Sequence, residues 1–345
     1  MNASYHKYIL KFKKPSGTSR GILRIKETWF LTIEANGKKG IGECGILRTL
    51  SADDVPGYEE KLKWVCENIK LGVEVLWEAL REYPSIQFGV EMAFASLHSE
   101  HPFELYPSSF TRGKDKILIN GLIWMGDRLF MKEQIQQKIA EGFDCIKMKI
   151  GAIDFKKEIE LLQFIRSNFS KDEIELRVDA NGAFLPEEAM QKLTELHKYD
   201  LHSIEQPIKA GQVEAMETLC SETPLPIALD EELIGVFDFE EQRKLLEKIK
   251  PQFIILKPSL IGGIKGTNHW ISQANCLNIK WWITSALESN IGLNAIAQYT
   301  YSLATKIPQG LGTGGLYLNN IESPLFVEKG MIGYDPYKKW KVKLY

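Results

Sequence analysis

Five short apolar segments follow one another through the middle of this chain, and each of them has charged side chains at its end. The segments are CIKMKIG (145–151), ELRVDANG (175–182), SIEQP (203–207), PIALDEE (226–232) and FIILKPS (253–259). A charged side chain at the inward end of a buried strand costs free energy unless it is paired or bound to a metal ion. Successive strands of this kind therefore predict one shared polar site, which we interpret as catalytic.

The alternation of side chains along a strand decides which of these residues share a face. Residues two apart point the same way, so Lys147 and Lys149 lie on one face of their strand. By the same rule, Arg177, Asp179 and Asn181 lie on one face of the next strand. We therefore expect the polar residues to point inward, and the apolar residues between them to face a packed layer.

A strand followed by a helix is repeated from Lys116 onward. We count strands near residues 117, 145, 175, 203, 226, 253, 280 and 309, with amphipathic helical patterns between them. Strands that alternate with helices indicate parallel βαβ units, and eight such strands suggest a closed α/β barrel. The chain has 345 residues, which suffices for a barrel of typically ~250 residues with a second domain of ~100.

The N-terminal part of the chain has a different character. It is β-rich at first, with Asn36-Gly37 as a hairpin turn, and helical patterns follow from about 56 to 98. We predict an α+β capping domain over 1–110, the barrel with the active site over 111–315, and a C-terminal segment, 316–345, that returns to the cap.

One glycine motif in the cap has the form of a dinucleotide-binding fingerprint. GIGECG (40–45) matches GxGxxG, but no helix opens after it and no βαβ unit surrounds it. We therefore exclude a dinucleotide fold and predict that this motif forms a packed turn in the cap.

Composition excludes several classes of function. The 43 Lys and Arg residues against 45 Asp and Glu give a formal charge of −2, which provides no field for nucleic acid or anionic lipid. The five cysteines are widely spaced and form no CxxC, so neither a disulfide framework nor a zinc site is expected. No apolar run approaches the ~20 residues of a membrane span. We expect a soluble, cytoplasmic protein, and the sequence does not predict its oligomeric state.

Three acidic residues at strand ends suggest a metal site. The carboxyl ends of barrel strands converge on one face, so Asp179, Glu205 and Asp230 can meet although they are far apart in sequence. Three hard oxygen ligands suit Mg²⁺, or Mn²⁺ in its place, whereas zinc usually takes His or Cys.

The lysines are expected to flank that metal ion. Lys147 and Lys149 lie on the second predicted barrel strand and Lys257 on the sixth, across the barrel mouth. A neighbouring ammonium group and a divalent cation both disfavour the charged form of a lysine, so Lys149 can act as a base. A metal-bound carboxylate substrate would lose its α-proton to it, because cations already stand where the enediolate charge develops.

The order of these motifs resembles the muconate-lactonizing branch of the enolase superfamily. KMK, VDAN, IEQP, ALDE and LKP occur in that family's order, and GIGECG fits its capping domain. Finer features resemble the o-succinylbenzoate synthases of menaquinone biosynthesis. They are INGLIWMG (119–126), RVDANGAF (177–184), HSIEQPI (202–208), ALDEELIG (228–235), ITSALESNIGLNAIAQ (283–298) and PQGLGTG (308–314).

The resemblance implies a (β/α)7β form of the (β/α)8-type barrel and a role for each motif residue. Lys149 would remove the α-proton of 2-succinyl-6-hydroxy-2,4-cyclohexadiene-1-carboxylate and then help to expel the hydroxyl group, a syn dehydration. Lys147 would stabilise the enolate oxygen and Lys257 the intermediate from the opposite face. Asp179, Glu205 and Asp230 would hold Mg²⁺, Arg177 matches an arginine associated with the synthase activity, and Ser285 and Gly310 match positions near the succinyl tail of the substrate. Asn181, on the same strand face as Asp179, is a further candidate for substrate binding.

Two of these contacts have an alternative interpretation. Arg177 can instead form a structural ion pair inside the barrel, and Asn181 can instead shape the turn in DANG. The segment PSGTSRG (15–21) matches a capping loop that closes over the substrate.

Other functions compete with the synthase. A racemase of N-acyl amino acids or a dipeptide epimerase would also use lysines on both faces of a bound carboxylate. A dipeptide ammonium group needs a carboxylate partner, however, and QGLGTGGLYL (309–318) offers none. A mandelate-type racemase would need a histidine in KWWITSALES (280–289), which has none. A Schiff-base aldolase would not need three metal carboxylates, and a non-catalytic binding protein would not need the bases.

Overall fold

The computed structural model describes residues 1–18 and 21–342. Its strands are Asn2–Thr18 (β1), Gly21–Ala35 (β2), Lys38–Gly45 (β3), Ile117–Leu118 (β4), Gly121–Ile123 (β5), Cys145–Lys149 (β6), Glu175–Asp179 (β7), Ser203–Glu205 (β8), Ile227–Leu229 (β9), Phe253–Leu256 (β10), Lys280–Ile283 (β11), Leu325–Glu328 (β12) and Met331–Tyr334 (β13). Its α-helices are Tyr58–Glu67 (α1), Val73–Ala79 (α2), Pro84–His98 (α3), Arg128–Ala140 (α4), Phe155–Arg166 (α5), Pro186–His197 (α6), Val213–Glu222 (α7), Phe239–Ile249 (α8), Gly263–Cys276 (α9) and Asn290–Ser302 (α10).

The N-terminal unit is an antiparallel sheet covered by helices. Strands β1, β2 and β3 lie side by side in that order, and the turn at Asn36-Gly37 has positive φ at both residues, 52° and 74°. One face of β2 packs Trp29, Leu31 and Ile33 against helices α1 to α3. The predicted α+β cap is confirmed.

The GIGECG motif is a strand, so the predicted packed turn is wrong. Its residues lie in β3, which packs directly against α3. A Cβ on Gly42 would lie 1.9 Å from the carbonyl oxygen of Gly89, and one on Gly40 would lie 2.1 Å from that of Ala93. The glycines are needed for this close approach of strand and helix, because any side chain would push the helix away.

The second unit is a curled parallel sheet of the α/β barrel class, as predicted. Seven strands follow in the order β5 to β11. Gln309 forms a parallel bridge to Ile119, and Gly310 forms one to Thr284. The segment at 309–310 therefore joins the two edges of the sheet and takes the eighth position of a (β/α)7β barrel.

Two details of the strand count differ from the prediction. The strand expected near 117 is β4, which pairs with β13 rather than with the barrel, and the first barrel strand is β5. The strand expected near 309 consists of single bridges only. Its sequence, PQGLGTGG, contains four glycines and a proline, which give little of the side-chain packing that sustains a regular strand.

Alternation along β6 and β7 separates a polar interior from an apolar layer. Ile146 and Met148 on β6 and Val178 on β7 are fully buried in the main hydrophobic core. Lys147 pairs in register with Arg177, and both point to the other side, into the barrel. The hydrophobic layer between sheet and helices thus forces the charged residues inward.

Other segments pack across the two units. The backbone N–H of Lys13 donates to Leu316 O (2.8 Å), and that of Leu318 donates to Lys11 O (2.8 Å), so residues 316–318 run along β1. The predicted capping loop at 15–21 includes Ser19 and Arg20, which lie outside the described residues. Up to Thr18 and from Gly21, β1 and β2 pair as antiparallel strands.

The cap is fixed to the barrel by two carboxylates at helix N-termini. Glu43 accepts hydrogen bonds from the backbone N–H groups of Ser289 and Gly292 (both 2.8 Å) at the start of α10. Glu91 accepts from Ile264 N (2.5 Å) and Lys265 N (2.9 Å) at the start of α9. Unpaired N–H groups and the helix dipole make such ends good carboxylate partners.

None of the helices in the described ranges combines the length and the apolar character needed to cross a bilayer.

The burial of Glu91 predicts a pH-dependent stability, because burial opposes ionisation more strongly than the N–H groups of α9 favour it. Burial raises the pKa of Glu91 from its ordinary 4.5 to about 7. Because the folded-state pKa lies above the unfolded one, its stabilising contribution is complete below pH 4.5 and is lost as the pH rises through 7. We expect urea unfolding at pH 5 and pH 8 to show that the wild type loses about 1–2 kcal/mol relative to Glu91→Gln over this range.

The exposed Glu67 on α1 provides the control, as Glu67→Gln removes a solvent-exposed carboxylate of the same cap. A stability difference between wild type and Glu91→Gln that is the same at pH 5 and pH 8 would contradict the assignment.

Candidate active site

Six charged side chains meet at the carboxyl ends of the barrel strands. Each was predicted from sequence as a catalytic or metal-binding residue, and the structure brings all of them together. Five are buried, and the side chain of the sixth, Lys257, is 12% exposed. The six are Lys147 and Lys149 on β6, Asp179 at the end of β7, Glu205 at the end of β8, Asp230 directly after β9 and Lys257 directly after β10.

Ion pairs connect these groups. Lys147 Nζ lies 3.1 Å from Asp179 Oδ2 and 2.5 Å from Glu205 Oε2. Lys149 Nζ lies 2.8 Å from the same Asp179 oxygen. Lys257 Nζ contacts Asp230 Oδ2 at the end of the neighbouring strand. The parallel register, which sets Lys149 beside Asp179 and Asp179 beside Glu205, is what places the charges at one height.

Asn181 supports Lys149 from the loop after β7. Its Oδ1 accepts a hydrogen bond from Lys149 Nζ (2.6 Å), and its own backbone N–H donates to Asp179 Oδ1 (3.0 Å). The residue has φ 44°, a left-handed conformation that asparagine tolerates better than most residues. Asn181 therefore both shapes the turn and lines the pocket.

The charges alter one another's protonation. Burial opposes the charge of Lys147, but the carboxylates of Asp179 and Glu205 outweigh it and raise the pKa of this lysine above its usual range. Burial likewise opposes the charge of Asp179, yet the two ammonium groups of β6 hold its pKa well below the usual range. Burial and the nearby charge of Asp179 raise the pKa of Glu205 to about 8. Glu205 is thus the least compensated of the acids.

The donor set fits a hard divalent cation. Asp179, Glu205 and Asp230 offer only carboxylate oxygens, and the buried Glu205 Oε1 has no hydrogen-bond partner among the described residues. Within residues 1–18 and 21–342 no three acidic, histidine or cysteine side chains stand in a ready metal-binding arrangement, and the ammonium group of Lys147 lies between two of the carboxylates. A cation would favour the ionised form of Glu205 and compensate its charge.

A pocket opens above the charged residues and is roofed by the cap. Leu23, Leu47 and Leu50 come from the cap, and Trp124 from the end of the first barrel strand. The roof is apolar, which lowers the local dielectric and strengthens the charge interactions beneath it.

Ser285 and Gly310 both line this pocket, as predicted for substrate contacts. The Ser285 hydroxyl, however, is fully used within the protein. It donates to Glu288 Oε2 (2.5 Å) and accepts from Leu287 N (3.0 Å) and Thr313 Oγ1 (2.9 Å). A hydroxyl has one donor and two acceptor positions, so Ser285 has no donor left for a ligand in this arrangement.

Arg177 is the predicted substrate contact that the structure does not bring into the pocket. Its guanidinium donates to Glu175 Oε1 (2.7 Å) and Pro308 O (3.0 Å) and lies 4.3 Å from the ring centre of Trp282. These partners are toward the N-terminal ends of the strands, beneath the charged cluster. The surroundings match the alternative reading, a structural ion pair inside the barrel.

Sequence reasoning missed three polar residues of the site. Glu288 is fully buried and holds the hydroxyls of Ser259 and Ser285. Asn120 and Thr284 line the pocket and each has a buried side-chain oxygen without a hydrogen-bond partner in the described part of the chain. Glu288 could have been identified from the sequence, because it is an acid that closely follows a strand, β11.

Comparison with known proteins agrees with this geometry. Residues 130–333 match the family model described as enolase C-terminal domain-like. The o-succinylbenzoate synthase of Desulfotalea psychrophila is 44% identical, over 96% of this chain and 99% of the relative. The chain belongs to the enolase superfamily.

Two further comparisons refine its position in the superfamily. The crystal structure of MenC from Desulfotalea psychrophila superposes with a TM-score of 0.86 at 41% identity and covers 96% of this chain and 99% of that one. The hydrophobic dipeptide epimerase of Enterococcus faecalis is 31% identical over 84% of this chain and 83% of the relative. The chain thus lies in the muconate-lactonizing branch, with stronger similarity to the synthase than to this epimerase.

The close packing at Gly310 predicts a sensitive position. A Cβ on Gly310 would lie 2.5 Å from Thr284 Oγ1 and 2.7 Å from its Cγ2. We expect Gly310→Ala to displace Thr284 into the pocket, destabilise the fold by about 1–3 kcal/mol, and lower kcat/KM about tenfold or more. Urea unfolding and steady-state kinetics measure the two effects.

Gly315→Ala is the matched control for the unfolding measurement, because no atom lies within 4 Å of a Cβ there. Wild-type kcat/KM in Gly310→Ala would contradict the inferred crowding.

Proposed function

We propose that this chain is an o-succinylbenzoate synthase that acts in the cytoplasm. It converts 2-succinyl-6-hydroxy-2,4-cyclohexadiene-1-carboxylate to o-succinylbenzoate, a carbon–oxygen lyase reaction of menaquinone biosynthesis. The observation that carries the proposal is the 44% identity to a synthase over nearly the full length of both chains. The cluster of three lysines and three carboxylates at the barrel mouth supplies chemistry that suits this reaction.

Mg²⁺ is the proposed cofactor, with Mn²⁺ as a substitute. Enolase-superfamily enzymes use a lysine or histidine base together with Mg²⁺. Asp179, Glu205 and Asp230 would hold the ion. When bound, it would supply Lewis-acid stabilisation of the negative charge that develops on the substrate carboxylate.

Lys149 is the proposed base and acid. Its ammonium form faces one carboxylate, Asp179, and one neutral amide, Asn181, whereas that of Lys147 faces two carboxylates. Lys149 in its neutral form removes the proton from the carbon that carries the carboxylate. It then gives this proton to the departing hydroxyl on the neighbouring carbon. The C–H and C–O bonds break on one face, the ring gains a double bond, and water leaves.

Lys147 and Lys257 stay protonated during this sequence. The carboxylates around Lys147 raise its pKa, and Asp230 and Glu205 raise the pKa of Lys257 although burial opposes its charge. Each therefore presents an ammonium group to the enolate oxygens or the delocalised ring charge. These donors are fixed before the reaction, so they need no reorganisation when the charge appears.

Charge balance also favours a dianionic ligand. The three lysines and the three carboxylates cancel when all are ionised. A divalent cation adds two positive charges, and the proposed substrate carries two carboxylates. Binding of the ion and of the substrate would therefore support each other.

The base assignment predicts the effect of Lys149→Ala. We expect kcat to fall at least about a thousandfold, because general base catalysis contributes that order of rate, while unfolding stability and Mg²⁺ affinity remain close to wild type. Dehydration is followed by ultraviolet absorbance and Mg²⁺ binding by calorimetry. Lys157→Ala, at an exposed position of α5, is the control for loss of a positive charge. Turnover of Lys149→Ala near the wild-type rate would end the assignment.

Removal of metal gives a second test. Dialysis against EDTA should abolish dehydration, and Mg²⁺ or Mn²⁺ should restore it. Glu205→Gln should weaken Mg²⁺ binding at least about tenfold, because it removes one anionic ligand and leaves the pocket volume unchanged. Activity that persists in chelator would refute the metal requirement.

Racemisation of N-acyl amino acids is the second candidate. Two observations favour it: lysines stand on opposite sides of the pocket, and a dipeptide epimerase is 31% identical. A dipeptide itself fits poorly, because Asp179 is the only acid among the described residues that line the pocket. In D₂O, we expect α-deuterium exchange of N-succinyl amino acids to be slower than dehydration of the cyclohexadiene. Faster exchange would favour the racemase.

A further inference from the structure

A fully buried glutamine lies among the loops that carry the three acids of the barrel mouth. Gln206 directly follows Glu205 in the chain and has no exposed surface. Its backbone has φ 39°, a left-handed conformation that residues other than glycine rarely adopt. Such a conformation persists only where the surrounding structure fixes it, and it is typical of functional sites.

The backbone of Gln206 leaves the regular ladder between β8 and β9. Its N–H donates to Ala228 O (2.9 Å), as in a parallel sheet. Its carbonyl oxygen, which a regular strand would offer to Asp230 N, instead accepts from Gly182 N (2.7 Å) in the loop after β7. The left-handed conformation therefore directs the carbonyl group toward β7 and leaves the N–H of Asp230 to another acceptor.

The side chain of Gln206 supplies that acceptor. Its Oε1 accepts from the backbone N–H groups of Asp230 (3.1 Å) and Glu232 (3.2 Å). Its Nε2 donates to Ile208 O (3.1 Å) and to Glu232 Oε2 (3.0 Å). An amide has two donor and two acceptor positions, so all four are occupied and the side chain has one defined orientation.

Glu232 holds the amide from the other side. It is 6% exposed, and its second oxygen, Oε1, accepts from Gly211 N (2.9 Å) in the loop between β8 and α7. A carboxylate acceptor makes these hydrogen bonds stronger than bonds between neutral groups. We call Gln206 and Glu232 together the amide clamp.

The amide clamp contacts all three loops that carry the acids. Gly182, which Gln206 O holds, lies in the loop after Asp179. Gln206 itself follows Glu205, and its amide binds the N–H of Asp230. Loss of these bonds would free the backbone at each acid, whereas the acids themselves would remain.

We infer, as an extension that rests on the proposed function, that the amide clamp positions the three acids for a small divalent cation. Mg²⁺ requires nearly ideal octahedral geometry, whereas Ca²⁺ accepts irregular coordination at longer distances. Acids with a fixed spacing therefore favour Mg²⁺ over Ca²⁺. Gln206 and Glu232 are positioning residues, and they set both the affinity and the selectivity of the site.

The test measures metal binding by calorimetry on protein that has been dialysed against EDTA. Gln206→Met removes the amide but keeps the length and the formal charge of the side chain. We expect the Kd for Mg²⁺ to rise at least about tenfold, because partners that orient metal ligands contribute that order of affinity. The Kd for Ca²⁺ should rise by less than about threefold, because Ca²⁺ tolerates the altered spacing.

Gln87→Met is the matched control. Gln87 is also a buried glutamine, 1% exposed, but it belongs to α3 of the cap, where its Nε2 donates to Trp77 O (2.9 Å). Its loss should lower the free energy of unfolding and leave the Kd values of both ions as in the wild type.

A reversed pair tests the hydrogen bond between the two residues. Gln206→Glu/Glu232→Gln keeps the formal charge, and it exchanges the donor and the acceptor of this bond. The carboxylate at 206 can still accept from the N–H of Asp230, and only the donor to Ile208 O is lost. Its Mg²⁺ affinity should lie between those of Gln206→Met and the wild type. An affinity no higher than that of Gln206→Met would overturn the clamp.

Glu232→Gln is a milder variant that decides the question if Gln206→Met does not fold. Loss of one negative charge alone would weaken Mg²⁺ and Ca²⁺ binding equally, because both ions carry two charges. The clamp predicts a greater loss for Mg²⁺. Equal weakening of the two ions would show a field effect only and would refute the clamp.

The outcomes separate this proposal from the proposed function. If the wild type binds Mg²⁺ and dehydrates the cyclohexadiene, but Gln206→Met binds Mg²⁺ as tightly as Gln87→Met does, the clamp is wrong and the proposed function stands. If the wild type shows the expected Mg²⁺ and Ca²⁺ pattern but no dehydration, the clamp stands and the proposed function fails. A wild type that binds no Mg²⁺ would overturn both.

Discussion

Mutual compensation of buried charges at the barrel mouth is the interaction on which the rest of the structure depends. Lys147, Asp179 and Glu205 are each at most 6% exposed, and removal of any one would leave an uncompensated charge in a low-dielectric interior. Such a set is stable only if the strands keep their register, because a shift of one residue would turn the charges into the apolar layer. The same compensation brings base, acid ligands and ammonium donors within contact of one another.

The cap contributes by fixing the walls of the site. Glu43 holds the start of α10 at Ser289, one residue after Glu288, which in turn binds the hydroxyl of Ser285. Leu287, between them, has φ 62° and is held through its carbonyl oxygen by the hydroxyl of Tyr317 (2.6 Å). The pocket wall is therefore tied to the cap through buried carboxylates and one strained residue. Cap and barrel act as one frame around the ligand.

Sequence alone predicted the convergence of the six charged residues, because two-residue alternation and strand order fix it once a barrel is assumed. It did not predict how Ser285 is used, since the partners Thr313 and Leu287 reach it only through tertiary packing. It also misread GIGECG as a turn, because the need for glycine there comes from α3, about fifty residues later. Arg177 shares a face with Asp179, as predicted, but the depth of a residue along the barrel axis is not encoded in alternation.

The sequence pattern also did not predict that the barrel closes through only a few backbone contacts. A regular eighth strand near 309 was expected, whereas two bridges at Gln309 and Gly310 join the sheet edges and the chain then diverges. Glycines that weaken the strand also open the wall beside the pocket. The departure from an ideal barrel therefore leaves a cavity between the first and last barrel segments.

Anomalous diffraction from crystals soaked in Mn²⁺ tests the central claim most directly, because it locates the ion independently of activity. The account predicts one strong peak within coordination distance of a carboxylate oxygen from each of Asp179, Glu205 and Asp230, with Lys149 and Lys257 on opposite sides of it. A peak elsewhere, or no peak among these carboxylates at saturating Mn²⁺, would contradict the account.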